Sequence, residues 1–527
     1  MPVTPTYPGL YIEELPNTAH TITPAPTSIT AFIGYAHPFQ GECAANVNWN
    51  KASQIFSFAD YERIFGGLYR STVLNSDLAD AVYQFFLNGG SNAWVVGLKP
   101  KYVDAHQNTT DITGASDNSI PGIVFTSKQL TDAASAVRIT IRNTQPGAGG
   151  GETADFLITF GPRSEIYRKV LTKSGAGSNN DPTFIANALA QSTLVSVAPS
   201  PAGFPDTYGA VSPAQPITID LGDMHPPSQD TLLPGDFIDA LGTNNALDKV
   251  DIFNLLVLPG ISTPSICNAA LAFCEGKRAF YIMDPPPNAT SDGMGTNLLT
   301  ITDYVKSVPY VSPNCALYFP YLKTMDPVSS RTLEQPPSGY VAGVYARTDL
   351  TRGVWKAPAG LATALINTLG VVDEGKMNDM QQGTMNPRGI NVLRTFDIGT
   401  VVWGARTVVT ANQAYAQWRY VPVRRTALFI EQTLLRNLGW VVFEPNDEPL
   451  WAAIRLSVEA FMLSLFRQQA FQGSSPNDAF RVQCDATTTT QTDINNGIVN
   501  IVVGFCPLKP AEFVVIKIAQ LAGQVQQ

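Results

Sequence analysis

Two aspartates stand where an α/β protein could do chemistry. Asp284 closes the run AFYIMD at Ala279 to Asp284, and Asp326 follows the run CALYFPY at Cys315 to Tyr321 by a few residues. In such folds ligands gather at the carboxyl ends of strands, and a carboxylate there can serve as general acid, general base or metal ligand. Each is followed by proline, as DPPP and as MDP, which suits an aspartate that forms a turn. The companions that chemistry would need are missing. The histidines, His20, His37, His106 and His225, fall outside the predicted strand ends of the core, and none lies within helical reach of another, which argues against a histidine base or a metal cluster. There is no G-x-G-x-x-G after a strand, no G-x-x-x-x-G-K-[ST], no G-x-S-x-G and no H-E-x-x-H. The cysteines, Cys43, Cys267, Cys274, Cys315, Cys484 and Cys506, show no C-x-x-C spacing and read as small buried hydrophobes in a reducing compartment. The expectation is a protein that is not an enzyme, with no catalytic residue, no cofactor and no metal ligand.

Composition narrows the alternatives. With 527 residues, 44% hydrophobic and 15% charged, the chain is too long for one compact unit and too apolar for disorder. Acidic residues outnumber basic ones 43 to 34, a net charge of -9, which disfavours a nucleic-acid coat. No run reaches the roughly 18–20 apolar residues of a membrane span, and MPVTPTYPGLYIEELP lacks the basic and apolar regions of a secretory signal. Neither nucleic acid nor direct membrane insertion is expected.

The elements that would position these residues follow from patterning. Prolines 2, 5, 8, 16, 24 and 26 keep residues 1–26 extended, with a strand limited to Leu10 to Leu15 that has no local partner. Residues 27–100 begin an α/β domain: strand ITAFIGYA, helices SFADYERIFGG and LADAVYQFFLNGG, strand AWVVGL. Residues 101–242 turn to Ser, Thr, Asn, Gly and Pro, with strands VRITIR and DFLITF, and read as a mainly β insertion facing outward. From 243 to 370 strand and helix alternate again, so the α/β domain resumes with a largely parallel sheet covered on both faces.

Residues 371–527 read as a C-terminal α+β domain. A helix near Arg424 to Leu438 starts with adjacent arginines, Arg424 and Arg425; such a pair is usually a solvated face, yet on an acidic protein it can mark an electrostatic contact. A second helix, with Pro449 in its first turn, repeats Leu450, Ile454, Val458, Phe461 and Leu465 before Gly473, a core-facing stripe. Two β-branched strands close the sequence, Ile498 to Phe505 and Glu512 to Gln520. A strand that apolar on a free edge would aggregate, so it is internal or paired with another chain. Together with the orphan strand at the N-terminus this suggests strand addition between identical subunits, a heterologous contact that makes rings or helices.

Several segments carry a resemblance. YPGLYIEELP at Tyr7 to Pro16, TSITAFIG at Thr27 to Gly34, NPRGINVLRTF at Asn386 to Phe396, VVWGARTV at Val401 to Val408, WRYVPVRRTALFIEQ at Trp418 to Gln432, FEPNDEPLWAAI at Phe443 to Ile454 and NNGIVNIVVGFCPLKPAEFVV at Asn495 to Val515 occur in the order found in contractile tail sheath proteins. The chain resembles that family over about 1–98 and 245–520, and the insertion matches nothing in it. The resemblance implies a structural subunit stacked as hexameric rings in a helical sleeve around an inner tube. The sleeve would contract from a metastable extended state and drive the tube through a target envelope. Its implied partners are copies of itself, the inner tube protein, and baseplate and tail-terminator proteins, with assembly in the bacterial cytoplasm as part of a phage tail or tail-like particle.

The arms are implied to join a neighbour's C-terminal sheet, through Leu10, Tyr11, Ile12 and Glu13 at one end and Phe513, Val514, Val515, Ile516 and Ile518 at the other. Arg424 and Arg425 are expected to face the tube, since related sheaths contact their tubes through C-terminal surfaces. The alternatives are another structural part of a tail, such as a baseplate or terminator protein, and more remotely an α/β enzyme.

Overall fold

The structure is a computed structural model that describes residues 20–71, 74, 76–103, 108–132, 134–147, 150–173, 181–201, 203–209, 215–222, 233–291, 300–308, 312–410 and 412–518. Its centre is an eight-stranded sheet. The strands are β1 (Thr30–Tyr35), β2 (Ala52–Ile55), β3 (Ala93–Leu98), β4 (Leu255–Val257), β5 (Phe280–Met283), β6 (Cys315–Phe319), β7 (Ile390–Phe396) and β8 (Gly399–Val402), in the order β2-β3-β1-β4-β5-β6-β7-β8. Neighbours from β3 to β7 are parallel, and β2 and β8 close the two edges antiparallel. β1 is buried along its whole length, as a strand covered on both faces must be. Its alternate side chains serve different cores: Ala31, Ile33 and Tyr35 on one face, Phe32 on the other. β7 and β8 belong to this sheet and not to the C-terminal unit, which moves the junction expected at 370 beyond Val402. The physical reason is that Ile390, Val392 and Leu393 are buried and need cover on both faces.

One face is covered by helices Leu78–Leu87 and α1 (Ser338–Arg352), which approach closely because α1 presents glycines. A Cβ on Gly339 would lie 2.5 Å from the Ala81 carbonyl oxygen, and one on Gly343 2.6 Å from Asn88 Cβ. The other face carries helix Pro264–Lys277 and the stretch 101–242, which folds mainly as β-structure. A four-stranded antiparallel sheet built on Val137–Pro146 and Glu152–Phe160 and a three-stranded sheet around Ile123–Ser127 share one apolar core with the central sheet. Within that stretch, helix Pro234–Ala240 packs on the central sheet itself: Phe237 meets the Tyr35 ring edge-on at 5.5 Å.

A third core holds the C-terminal unit. Helix α2 (Val421–Asn437) leads to α3 (Glu448–Arg467), capped by Asp447 with Pro449 in its first turn. By length and composition α3 could cross a membrane, yet Leu450, Trp451, Ile454, Val458, Phe461, Met462 and Leu465 are buried in the protein's own core. Ile22 enters the same core, and Thr23 and Ala25 bond Asn437 and Thr433, so the chain from 20 to 27 is laid along α2.

The strand order reverses between β1 and β4, the position where α/β folds open a crevice. Here the protein's own groups occupy it. The Asp284 carboxylate, fully buried, accepts from the Gly260 and Ser338 backbone N–H groups and the Ser338 hydroxyl, and so sits at the N-terminus of α1. Arg70 forks between Asp80 and Asp326, so the second candidate carboxylate is held in an ion pair. Burial, then repulsion from Asp80 and Asp284, pushes Asp77 up to about 7 from 3.8.

Because that value lies above the unfolded one, the contribution of Asp77 to stability is complete below about pH 4 and is lost as pH rises through about 7. Wild type is therefore expected to lose about 1–3 kcal/mol relative to Asp77→Asn between about pH 4 and about pH 8, measured by denaturant unfolding. A gap that does not change with pH would show that Asp77 ionises freely.

Candidate assembly interface

Beyond α3 the chain makes a small sheet. β9 (Phe480–Gln483) pairs antiparallel with β10 (Val502–Phe505), and no third strand joins them among the described residues. β10 begins four residues later than the run Ile498 to Phe505 suggests. The inner sides of both strands rest on α3 and Phe471, while Val502 is half exposed. A two-stranded sheet is marginal by itself and leaves open edges.

After β10 the chain becomes a strap. Cys506 donates to Ala479 and its carbonyl accepts from Gln472, and Phe471 and Pro507 form an isolated bridge. Pro507 and Pro510 have no N–H to give. The far end of the strap is held by Glu512, whose carboxylate takes the Arg406 Nε at 3.0 Å and also Nη2, with side chains only 14% and 9% exposed. Arg406 is fixed in turn: its Nη1 donates to the Asn386 carbonyl, and its backbone exchanges two 2.7 Å bonds with the Asn391 side chain on β7. The strap forms one wall of a cavity of 1340 Å³ whose other walls include Trp355, Phe429 and Gln468.

From Phe513 to Ile518 the chain touches little. Phe513, Val514, Val515, Ile516 and Ile518 are 75%, 81%, 79%, 80% and 92% exposed, and no strand forms there. The expected strand Glu512 to Gln520 is therefore unpaired over its described part. The composition is that of a buried strand, but a strand needs a ladder partner, and the described residues supply none. A run of five large apolar side chains at this exposure is a surface awaiting cover.

The other candidates divide into those outside the described residues and those engaged within the chain. Leu10, Tyr11, Ile12 and Glu13 lie outside the described residues. Arg425 is a correction: its guanidinium forks onto Asp349 at 2.9 and 2.6 Å with both side chains 3% exposed, donates to the Thr27 carbonyl and lies 4.6 Å over the Tyr345 ring. It cannot reach a tube from there, because α2 turns that side inward against α1. Arg424 is also engaged within the chain, with Asn314 at 2.6 Å, Glu431 at 3.2 Å and the Trp418 ring at 4.8 Å. Sequence reasoning missed Arg406 and Glu512. An arginine and a glutamate 106 positions apart give no local signal.

The chain matches two family models, the phage tail sheath protein central domain over residues 238–408 and the phage tail sheath C-terminal domain over 413–520. Together they take in just over half of its length, and their junction falls after β8. It is 24% identical over 283 residues, 51% of this chain and 67% of the relative, to a protein named as a prophage major tail sheath protein of Pseudomonas aeruginosa. It is 26% identical over 167 residues, 31% of this chain and 34% of the relative, to the tail sheath protein of Burkholderia phage BcepMu. In fold it is similar to a chain of the PVC sheath complex of an extracellular contractile injection system in the contracted state, with a TM-score of 0.57, 23% identity and 98% of both chains covered. It is also similar to the sheath tail protein of Desulfitobacterium hafniense, with a TM-score of 0.57, 12% identity, and 95% of this chain and 100% of that one covered. The protein belongs to the phage tail sheath family, the structural sheath components of contractile tails and tail-like injection systems.

Proposed function

We propose that the protein polymerises as stacked hexameric rings around an inner tube, and that the sleeve contracts from a metastable extended state to drive the tube through a target envelope. The observation that carries this reading is an apolar C-terminal arm with no strand partner among the described residues, beside a two-stranded sheet with an open edge. Each subunit gives its arm to a neighbour's β9–β10 sheet and receives another, a heterologous contact that propagates instead of closing on a pair. The N-terminal segment, with Leu10 to Glu13, adds the second exchanged strand. The inner tube, baseplate and terminator are the partners of this assembly, which forms in the bacterial cytoplasm, and the stretch 101–242 faces outward from the sleeve. No nucleotide is needed for firing, because the energy is stored when the extended lattice is built and released by a rigid-body rearrangement.

Deleting residues 1–19 tests the N-terminal half of this reading. The subunit is expected to keep its melting temperature, because Ile22, Thr23 and Ala25, which tie the arm's base to α2, remain. Long sleeves are expected to vanish from negative-stain images. Normal sleeves from the truncated chain would remove the N-terminal arm from the lattice. The similarity to a chain of an anti-feeding prophage baseplate structure, at a TM-score of 0.55, keeps a baseplate role as the second reading. Purified protein decides between them, since only a sheath grows into long hollow sleeves.

A further inference from the structure

An arm that must reach a neighbour is in danger of serving its own chain first. β10 ends at Phe505 and the apolar run starts at Phe513, so seven residues, 506–512, lie between them. The roughly two to five residues of an ordinary hairpin connection would already suffice to fold the arm back on the free edge of β10. Such a pairing within the chain would be favoured by proximity over any pairing between chains. It would satisfy the open edge and hide the apolar side chains, leaving a subunit with nothing to exchange.

The described structure shows the arm held away from that edge. The strap leaves β10 toward the central sheet, and the Arg406 fork on Glu512 fixes its last residue there, with the Tyr420 hydroxyl 3.4 Å from the same carboxylate. Free chain begins only at Phe513, immediately after the clamp. If the clamp opened, residues 508–512 would be released as slack of up to about 17 Å, enough to let the arm turn back. An ion pair is also suited to the position because it fixes a direction. The two-pronged contact of a guanidinium with a carboxylate sets the orientation of Glu512 as well as its place, which a single apolar contact would not.

We propose that the Arg406–Glu512 ion pair holds the C-terminal arm off its own chain's sheet and thereby reserves the β10 edge for a strand from a second copy of this chain. The inference rests on the strand-exchange reading above and adds a device that chooses exchange over self-closure. Glu512 thus positions the arm and makes no lattice contact of its own.

The test uses the full chain with Glu512→Gln, and with Arg406→Gln to break the pair from the other side. Glu512 lies outside every apolar core and Gln can still accept from Arg406, but the variant leaves a buried guanidinium without its countercharge. Its melting temperature is therefore expected to fall, and sleeves are compared at a temperature where both subunits are folded. Sleeves pelleted by ultracentrifugation are expected to fall at least tenfold, with monomers left in the supernatant. In those monomers, amide hydrogen exchange at residues 514–518 is expected to be slower than in wild-type subunits taken before assembly, the mark of an arm paired with its own sheet. Wild-type yields of sleeves from Glu512→Gln overturn the proposal. So do monomers whose 514–518 amides exchange freely, since the clamp would then only stiffen the arm. A chain cut after Glu512 separates the two levels: sleeves from that chain overturn strand exchange itself. Loss of its sleeves together with normal sleeves from Glu512→Gln removes the clamp alone.

Discussion

Replacing Ile516 by Asp is expected to leave a folded subunit that builds no sleeves. In an extended strand Val514, Ile516 and Ile518 share one face and Phe513, Val515 and Lys517 the other. The first face is wholly apolar, so on the proposed strand exchange it is the one that would turn into a neighbour's core. Burying its three side chains is worth about 1.5–3 kcal/mol each, on the order of 5–9 kcal/mol. Fixing the backbone of residues 513–518 costs about 1–2 kcal/mol per residue, a sum of similar size. Burial alone therefore barely holds one arm, and the ladder hydrogen bonds plus repetition along the sleeve must supply the surplus.

A charge at the centre of that face tips the balance at every site at once, which is why a single substitution should abolish the polymer. Because Ile516 is 80% exposed in the subunit, the melting temperature should stay within error of wild type. Lys517→Glu, on the other face, should assemble nearly normally. Sleeves from Ile516→Asp in ordinary amount would refute the assignment of this arm to the lattice.

The second large effect concerns stability. Arg425→Ala and Asp349→Ala are each expected to cost about 3–5 kcal/mol in equilibrium unfolding, because each leaves a buried charge without its partner. The pair joins α2 to α1 and, through the Thr27 carbonyl, to the chain just before β1, so its loss is felt where three elements meet. Replacing both at once by apolar residues of similar size, Arg425→Met with Asp349→Leu, should recover much of the loss, since a filled apolar site can match a buried ion pair. Single variants with wild-type stability that instead release an inner tube at lower salt would return Arg425 to the surface role first expected of it. The wild-type geometry predicts the opposite, a marginal subunit whose few assembled sleeves show ordinary salt tolerance.

The local readings that succeeded share a cause. β1, β3, β5 and β6 are short runs of apolar residues bounded by turns, and α3 carries its stripe at three- and four-residue steps with Asp447 and Pro449 at its start. Periodicity and caps are properties of neighbouring residues, so one sequence displays them. The apolar arm was legible for the same reason: five apolar side chains stand in six positions, and nothing among the described residues covers them.

What the sequence determined by itself was the class of fold, the absence of recognisable catalytic motifs, and the presence of an apolar C-terminal run, because each follows from local composition and spacing. Only the tertiary structure decided the rest. It drew β7 and β8 into the central sheet, filled the crevice between β1 and β4 with Asp284, Arg70 and their partners, and turned Arg425 inward onto Asp349 while leaving Arg406 to meet Glu512. Whether an arginine faces solvent, a carboxylate or an aromatic ring depends on which helix face the packing buries, and that is settled by contacts between residues tens to hundreds of positions apart.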